Sequence, residues 1–562
     1  MGTGAIAPNP LQRGRASKEE RALLSDSGSQ RRANSAELAS GAPDYPDYAF
    51  IRYFREGYIE QPFRQAFIGT EEAITYAEAY LRTKALVWYF EHELSIGPDS
   101  VVALASENVV DLPIIMAAAQ VCGAMLVLCS PRAELVEYEA YARHVNPDVY
   151  IVFRPDACDW LADKFPDMKI VTLRCKHEGY PSIEGAISEN RVAGMAYEPT
   201  MKGEAHIVLF SSGSTGKPKA IVNRFSSFHH NGCVIAEGYR VTRDDVLYLP
   251  VPFFHSYGMI GLYTALPKGA TIASIQKYHP ESSLTLIETA RVTVYFGVPT
   301  MYLREMRINE DDEWDLSSLR IAKIAGAPCP EAAAAEYERR YGCRMLPSYG
   351  MTEVAATTTM ADYDAPLHVR AASVGKPIDG VQVKLDPETG ELLCKSVAIM
   401  DGFLLDDGTL DPGVDEDGWF HSGDVAAQDE DGNYYITGRI KDIVIRGGVN
   451  IFPAEVENVY QKHEGVSESC LVGYPDPELG ERTCLCVVEK PGHNETAALL
   501  RQFAYGRLQK CKVPDVVLKM DDLPRLPNGK TDKKTLRVQV AEILGADEPT
   551  IPSAGDSPSK RE

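Results

Sequence analysis

The interpretation of this chain starts from the stretch Phe210-Ser211-Ser212-Gly213-Ser214-Thr215-Gly216-Lys217-Pro218-Lys219-Ala220. An apolar run, 206–210, precedes it and Ile221 and Val222 follow it, so it is predicted to be a loop between two short strands. Glycines let backbone N–H groups approach an anion closely, hydroxyls add donors and lysines add charge. The stretch therefore predicts a phosphate-binding loop. A Walker loop is disfavoured, because the glycines are too close together and Pro218 follows the first lysine.

Length and charge limit the classes of protein to which this chain can belong. The chain has 562 residues, enough for two or more domains, and a formal net charge of −23 at pH 7. Such an acidic chain is not expected to bind nucleic acid or an anionic membrane as its main partner. Its 12 cysteines are scattered without a CxxC pair, which indicates reduced thiols in a cytoplasmic protein rather than a disulfide framework or a zinc site.

One charge-free stretch, Leu112–Cys129, reaches the length of a short membrane span. Pro113, Gln120 and Gly123 interrupt it, and its first part is alanine-rich whereas its second is strand-like. A buried helix that leads into a buried parallel strand explains both parts, so no transmembrane segment is predicted. Similar helix–strand alternation continues to about residue 173 and predicts parallel βαβ units.

A second motif, Pro347-Ser348-Tyr349-Gly350-Met351-Thr352-Glu353, lies far along the chain. It places an aromatic ring that can stack on a base, a hydroxyl that can contact a phosphate and a carboxylate within a few residues. Mg²⁺ prefers oxygen ligands and keeps several waters, so one glutamate together with nucleotide phosphates is a sufficient site. The alternative is a strand end capped by Thr-Glu.

Four further stretches have weak signals when each is taken alone. His255 follows Phe253-Phe254, and a lone histidine is more often structural than functional. Small residues at 325–328 could leave room for a flat ligand at the end of a strand. Asp424 could accept hydrogen bonds from two hydroxyls, and it is predicted to stand at the start of a strand. Lys530 lies in an Asn-Gly turn, where a lysine is normally solvated.

Taken in order, these motifs resemble those of the adenylate-forming superfamily, which includes acyl-CoA and aryl-CoA synthetases, luciferases and nonribosomal peptide adenylation domains. The resemblance covers about residues 45–540. It implies an α/β fold, with a large N-terminal domain of stacked α/β sheets, a small β-barrel-like part and a smaller, mobile α+β C-terminal domain. Ala220 departs from the glycine that commonly ends the phosphate loop, and His255 replaces the aspartate typical of domains that bind α-amino acids.

The resemblance also implies domain boundaries. The adenylation domain would span 46–438, the hinge 439–442 around Lys441, and the mobile domain 443–540. The segments 1–45 and 541–562 are expected to be disordered, because they are rich in small and polar residues.

Roles follow from the resemblance position by position. The catalytic set would be Lys530, Lys219, Thr352, Glu353 and His255, with Glu353 as the metal ligand. The remaining contacts to ATP or AMP would come from Ser211, Ser212, Gly213, Ser214, Thr215, Gly216, Gly326, Ala327, Pro328, Ser348, Tyr349, Gly350, Met351, Asp424 and Arg439. The acyl pocket would be formed by Phe253, Phe254, His255, Tyr257, Gly258, Phe296, Gly297, Val298, Met301 and Val354. The thiol acceptor would lie against Arg446, Gly447 and Gly448.

The implied reaction has two steps and requires ATP, Mg²⁺ and coenzyme A. A carboxylate would attack the α-phosphate to give an acyl-adenylate and pyrophosphate, and a thiol would then take the acyl group after the small domain turns about Lys441. The pocket residues are mostly apolar and no charge is obviously placed to contact a second polar group, which favours an aryl or medium-chain fatty acid. The alternatives are loading of a carrier protein, a luciferase-like oxidation, or an adenylate-binding protein without catalysis.

Overall fold

The computed structural model describes residues 45–211, 219–327, 331–525 and 531–545. The described residues form two compact units. The first comprises those up to Gln382 together with Cys394–Phe420, and the second comprises Val383–Leu393 and those from His421 onward. Residues 421–438 thus group with the second unit, and the hinge at 439–442 stays a prediction.

Some helices start at a polar side-chain cap. The helix at 76–92, for example, starts at a reciprocal cap in which Thr75 Oγ1 accepts from Glu78 N and Glu78 Oε2 accepts from Thr75 N. The helices of the first unit are α1 (Phe50–Glu60), α2 (Tyr76–His92), α3 (Asp111–Cys122), α4 (Leu135–Val145), α5 (Asp156–Lys164), α6 (Ile183–Glu189), α7 (Arg191–Ala196), α8 (Phe225–Gly238), α9 (Ser256–Ala265), α10 (Pro280–Thr289), α11 (Pro299–Ile308), α12 (Glu331–Tyr341) and α13 (Leu367–Ala372).

Strands alternate with these helices, and most pair in parallel, as predicted. Up to residue 377 the strands are β1 (Gln65–Ile68), β2 (Ala73–Thr75), β3 (Val101–Ala105), β4 (Met125–Cys129), β5 (Val149–Val152), β6 (Lys169–Thr172), β7 (His206–Ser211), β8 (Lys219–Arg224), β9 (Val246–Tyr248), β10 (Thr271–Ala273), β11 (Val294–Gly297), β12 (Ile321–Ile324), β13 (Arg344–Tyr349), β14 (Thr359–Met360) and β15 (Lys376–Pro377).

The remaining strands lie within residues 381–519 and are divided between the two units. They are β16 (Val381–Leu385), β17 (Glu391–Ser396), β18 (Gly402–Leu404), β19 (Leu410–Asp411), β20 (Phe420–Gln428), β21 (Tyr434–Arg439), β22 (Val444–Arg446), β23 (Val449–Ile451), β24 (Val466–Asp476), β25 (Gly480–Glu489) and β26 (Val516–Lys519). The second unit's helices are α14 (Pro453–Tyr460), α15 (Ala497–Ala504) and α16 (Lys533–Leu544).

Two large sheets form the first unit. One has the order β19-β18-β8-β7-β4-β3-β5-β6, and the other has the order β15-β14-β13-β12-β11-β9-β10-β1-β2. Successive residues of a strand point to opposite faces. Accordingly, Val102 and Leu104 join Val294 and Phe296 in a core that draws on both sheets, whereas Ala103 lies in a separate core on the other face. Both sheets are therefore covered by side chains on both faces, as expected of stacked α/β sheets.

The second unit has a sheet of its own, in the order β23-β22-β25-β24, with β26 added in parallel to β25. Leu471 and Leu485 lie in a core with residues of α14 and α15, and Cys470 and Cys486 lie in a core with residues of α16. A further four-stranded sheet, β16-β17-β20-β21, is the small β part. The predicted fold class is confirmed.

Candidate active site

The phosphate-binding stretch lies at one end of a β-hairpin. Strands β7 and β8 are antiparallel, and Ser211 and Lys219 are the last residue pair before residues 212–218, which lie outside the described residues. The predicted contacts of Ser212, Gly213, Ser214, Thr215 and Gly216 therefore stay predictions. The Lys219 ammonium lies 4.5 Å from the centre of the Phe403 ring, a cation–π contact with the neighbouring strand β18.

The second motif forms a compact turn after β13. Thr352–Val354 is a short 3₁₀ helix, and the Glu353 carbonyl accepts a hydrogen bond from Met400 N at 2.8 Å. The hydroxyls of Thr352 and Ser256 lie 3.2 Å apart. The backbone at Gly350 passes so close to Ala356 that a Cβ there would overlap its carbonyl oxygen, which explains the glycine. The turn is thus fixed at both ends.

Three neighbouring parallel strands bring these residues to one edge of the nine-stranded sheet. β11, β12 and β13 pair in register and end at Gly297, Ile324 and Tyr349. Gly326, two residues after β12, has a φ of +84°, a conformation that L side chains rarely adopt. Ligands of open α/β sheets bind beyond the carboxyl ends of strands, and Gly326, Ala327 and Tyr349 occupy that position. Pro328 lies outside the described residues.

Some of the predicted acyl-pocket residues lie at this edge, where Tyr257 contacts residues of β11 and β12. Phe253, Phe254, Phe296 and Val354 are buried, whereas His255, Val298 and Met301 are half-buried. The Tyr257 hydroxyl donates to the carbonyls of Gly297 and Lys323, each at 3.1 Å, and its ring lies 5.9 Å from that of Phe296. The glycine at position 258 is explained by packing, since a Cβ there would overlap the carbonyl oxygen of Pro252. The direct contacts of these residues with an acid stay predictions.

The second unit carries a buried carboxylate. Asp424 and Arg439 face each other across β20 and β21, with Arg439 Nε 2.6 Å from Asp424 Oδ1, and Asp424 is 4% exposed. The guanidinium of Arg439 holds the Asp424 carboxylate in place, and carboxylate oxygens can accept hydrogen bonds from hydroxyls. The prediction that Asp424 starts a strand is wrong. β20 begins four residues earlier at Phe420, which pairs with Val414 in an antiparallel bridge.

The predicted thiol site is a tight hairpin. Gly447 and Gly448 connect β22 to β23 with φ values of +57° and +81°, as a two-residue turn with two left-handed positions requires. Arg446 forms a two-pronged pair with Asp515, in which both N–O distances are 2.8 Å. Its guanidinium therefore has a structural role in the second unit. Lys441 lies on the 3₁₀ helix Ile440–Asp442 and is exposed, whereas Lys530 lies outside the described residues.

A metal ion at this site would find few protein ligands. Among the described residues, no group of three or more His, Cys, Asp and Glu side chains could hold a metal ion. The carboxylate of Glu353 and the hydroxyl of Thr352 are oxygen donors of the type that Mg²⁺ prefers, so the turn fits a Mg²⁺ ion that takes its other ligands from ATP and water.

Family models match most of the chain. Residues 54–404 match the AMP-binding enzyme family, and residues 455–530 match the C-terminal domain of AMP-binding enzymes. The chain belongs to the AMP-binding enzyme family. The superfamily resemblance that the motifs predicted is confirmed.

Curated relatives carry the names of acid–CoA ligases. The chain is 29% identical to YngI of Bacillus subtilis, whose name assigns it to the acyl-CoA synthetases, over 80% of this chain and 89% of that protein. It is 35% identical to the feruloyl-CoA synthase of an Amycolatopsis species, over 59% and 69% of the two chains. Matches to several other curated relatives cover 58% to 65% of their lengths. The predicted enzyme class, an AMP-forming acid–thiol ligase, is confirmed.

Solved structures of the family share the fold. ATP-bound MatB from Rhodopseudomonas palustris superposes with a TM-score of 0.79 at 26% identity, over 89% of this chain and all of that one. In the part of this chain that the structure describes, no helix combines the length and apolar character needed to cross a bilayer. The cytoplasmic location stays a prediction.

One residue of this AMP-binding enzyme was missed by sequence reasoning. Lys323 is fully buried on β12, and its ammonium lies 5.2 Å and 5.5 Å from the ring centres of Tyr257 and Phe296. It donates a hydrogen bond to Ser348 Oγ, so this predicted nucleotide contact already has a protein partner. An ionisable amine thus does lie beside predicted pocket residues. The signal was a lysine within the apolar run Ile321-Ala322-Lys323-Ile324.

Proposed function

We propose that this protein activates an aryl or medium-chain fatty acid with ATP and transfers the acyl group to coenzyme A. The observation that carries the proposal is the turn at Thr352–Glu353, which follows β13 at the same sheet edge as Gly326 and Ala327. A hydroxyl and a carboxylate at this edge would suit the phosphates of a nucleotide whose flat base lies against the small residues after β12. The buried aromatic residues near this edge favour an apolar acid.

In the first step, a carboxylate oxygen of the acid attacks the α-phosphorus of ATP. A new P–O bond forms, the bond from the α-phosphorus to the bridging oxygen breaks, and pyrophosphate leaves with that electron pair. Two anions must approach each other, so positioning and electrostatic stabilisation supply the catalysis. Glu353 would hold Mg²⁺, and Thr352 would donate to a phosphate oxygen. Bound Mg²⁺ supplies positive charge to the phosphates.

Further groups contribute to binding in this proposal. Ser211 and Lys219, at the ends of the hairpin, would contact the phosphates that leave, and Tyr349 would stack on adenine. The Asp424 carboxylate, held by Arg439, would accept hydrogen bonds from the ribose hydroxyls. The role proposed for Lys530, which is to neutralise the carboxylate and the α-phosphate, concerns a residue outside the described part of the chain.

In the second step, the thiol sulfur of coenzyme A attacks the acyl carbon of the mixed anhydride. A C–S bond forms, the C–O bond to the phosphate breaks, AMP leaves, and the thiol proton passes to water. Gly447 and Gly448 would allow the pantetheine chain to approach the backbone closely, because neither carries a side chain.

The experiment is a panel of aryl, short-chain, medium-chain and long-chain acids with ATP and Mg²⁺, with and without coenzyme A. Pyrophosphate release and the mass of any thioester are measured together. Release that depends on an aryl or medium-chain acid, with the matching acyl-CoA, supports the proposal. Pyrophosphate release without a thioester would instead indicate that the acceptor is a carrier protein. No acid-dependent release would contradict the proposed function.

A further inference from the structure

The turn that carries Thr352 and Glu353 ends in an unusual backbone conformation. Ala355 and Ala356 have φ values of +48° and +74°, so two consecutive non-glycine residues are left-handed. A Cβ destabilises this conformation, and such residues persist only where their surroundings fix them. The turn therefore needs contacts that compensate for this strain.

The side chain of Asn231 supplies such contacts. Asn231 lies on α8 and has no exposed surface. Its Nδ2 donates to the carbonyl oxygens of Val354, Ala355 and Thr357 at 2.9, 3.1 and 3.2 Å. The three bonds therefore reach Val354, which ends the 3₁₀ helix, Ala355, which is the first left-handed residue, and Thr357, which follows the second left-handed residue.

The position of Asn231 in the chain gives these bonds a second consequence. Helix α8 directly follows β8, and β8 starts at Lys219, near the end of the phosphate-binding stretch. Asn231 therefore connects the strand–helix segment of one nucleotide motif to the turn of the other, which is more than 100 residues away in sequence. A buried amide bonded to backbone carbonyls fixes both groups more firmly than apolar packing, because leaving any of them unpaired would be costly.

We infer that Asn231 is a positioning residue, which holds the left-handed turn so that Thr352 and Glu353 face Mg²⁺ and ATP. This inference rests on the proposed function, from which the roles of Thr352 and Glu353 come. It does not require Asn231 to touch a substrate. Loss of the amide should weaken the Mg²⁺-dependent part of ATP binding more than ATP binding without metal.

The test uses the full-length protein and isothermal titration calorimetry. The dissociation constant of ATP is measured with saturating Mg²⁺ and with EDTA. The ratio of the constant with EDTA to the constant with Mg²⁺ is then compared between proteins. Asn231→Ala should reduce this ratio about tenfold, the effect of losing a buried hydrogen-bonding group. Asn231→Ser, which keeps one donor, is the second variant and should give an intermediate ratio even if the alanine variant fails to fold.

Asn223 provides a matched control. It is also fully buried, it lies on β8, and its amide makes no hydrogen bond within the described residues. Asn223→Ala should leave the ratio of ATP dissociation constants unchanged, even if it changes the melting temperature.

A rescue separates positioning from general stability. Glycine adopts left-handed φ values without strain. Adding Ala355→Gly and Ala356→Gly to the Asn231→Ala variant should therefore restore at least half of the decrease in the logarithm of the ratio of ATP dissociation constants. Strictly additive effects would overturn the inference, as would a ratio unaffected by Asn231→Ala and Asn231→Ser. A wild-type protein that fails to bind ATP with Mg²⁺ would overturn the proposed function and this inference with it. Wild-type binding with unaffected variants would overturn the inference alone.

Discussion

Lys323 and Ser348 are joined by a hydrogen bond across the neighbouring strands β12 and β13, in the interior of the first unit. Among the described residues no ion pair joins this lysine to a carboxylate, and two aromatic rings lie beside its ammonium. Burial lowers the pKa of Lys323 to about 7.

Lys323 should make stability depend on pH. Its pKa is lower in the folded state, so between about pH 7 and pH 10 the unfolded chain binds the extra proton and the free energy of unfolding rises with pH, by about 1 kcal/mol per unit. Melting temperatures of the wild type and Lys323→Met are compared from pH 7 to pH 9. The wild type should gain stability relative to the variant, and parallel curves would contradict the shifted pKa.

Glu353→Gln should remove the anionic ligand of Mg²⁺ and keep the shape of the side chain. We expect acid-dependent ATP–pyrophosphate exchange to fall about 100-fold and the Mg²⁺ concentration for half-maximal exchange to rise, because stabilisation of the phosphate charge is lost. Glu388→Gln, at an exposed position of the second unit, is the control. Equal Mg²⁺ requirements in the two variants would exclude Glu353 as the ligand.

Asp424→Asn should weaken the use of ATP by about 10-fold to 100-fold in kcat/KM, since hydrogen bonds to a charged acceptor are stronger than those to a neutral one. The specific readout is discrimination against 2′-deoxy-ATP and 3′-deoxy-ATP. The wild type should prefer ATP over at least one of these analogues, and the variant should lose that preference. A variant that keeps it would show that Asp424 does not contact the ribose.

Arg446 should matter for the stability of the second unit. The pKa of Asp515 is lowered, because hydrogen bonds from Arg446 and Thr483 outweigh the effect of burial, which raises it. Asp515→Asn and Arg446→Lys should therefore both lower the melting temperature, since each removes the two-pronged geometry.

Measurements of the acyl-transfer step test whether Arg446 has a second role, in contact with the thiol. If Arg446 also contacts the thiol, Arg446→Lys should raise the KM for coenzyme A more than Asp515→Asn does, with pyrophosphate exchange unchanged in both. Equal KM values in the two variants would assign Arg446 a structural role alone.

Much of the fold could be predicted, because local patterns determine it. The apolar runs on both sides of the phosphate-binding stretch became β7 and β8, and the charge-free stretch 112–129 became α3 and β4. The Asp-Gly pair at 431–432, a dipeptide that favours hairpin turns, lies between β20 and β21. These features depend on neighbouring residues, whose spacing is visible in a single sequence.

The contacts of the site were harder to predict, because they join distant residues. Nothing near Asn231 indicates that its amide reaches a turn more than 100 residues later. Lys323 looked like an ordinary lysine, since its environment depends on which sheet and which face β12 occupies. The start of β20 was misplaced because Phe420 pairs with Val414, which lies outside the β20–β21 hairpin.

The central claim is that the acid is activated as an acyl-adenylate, and oxygen transfer tests it most directly. The acid is prepared with ¹⁸O in its carboxyl group and incubated with ATP, Mg²⁺ and coenzyme A, and the AMP is analysed by mass spectrometry. The proposed mechanism predicts one ¹⁸O atom in the phosphate of AMP for each thioester formed. Thioester formation with ¹⁸O in inorganic phosphate, or with none in AMP, would contradict it.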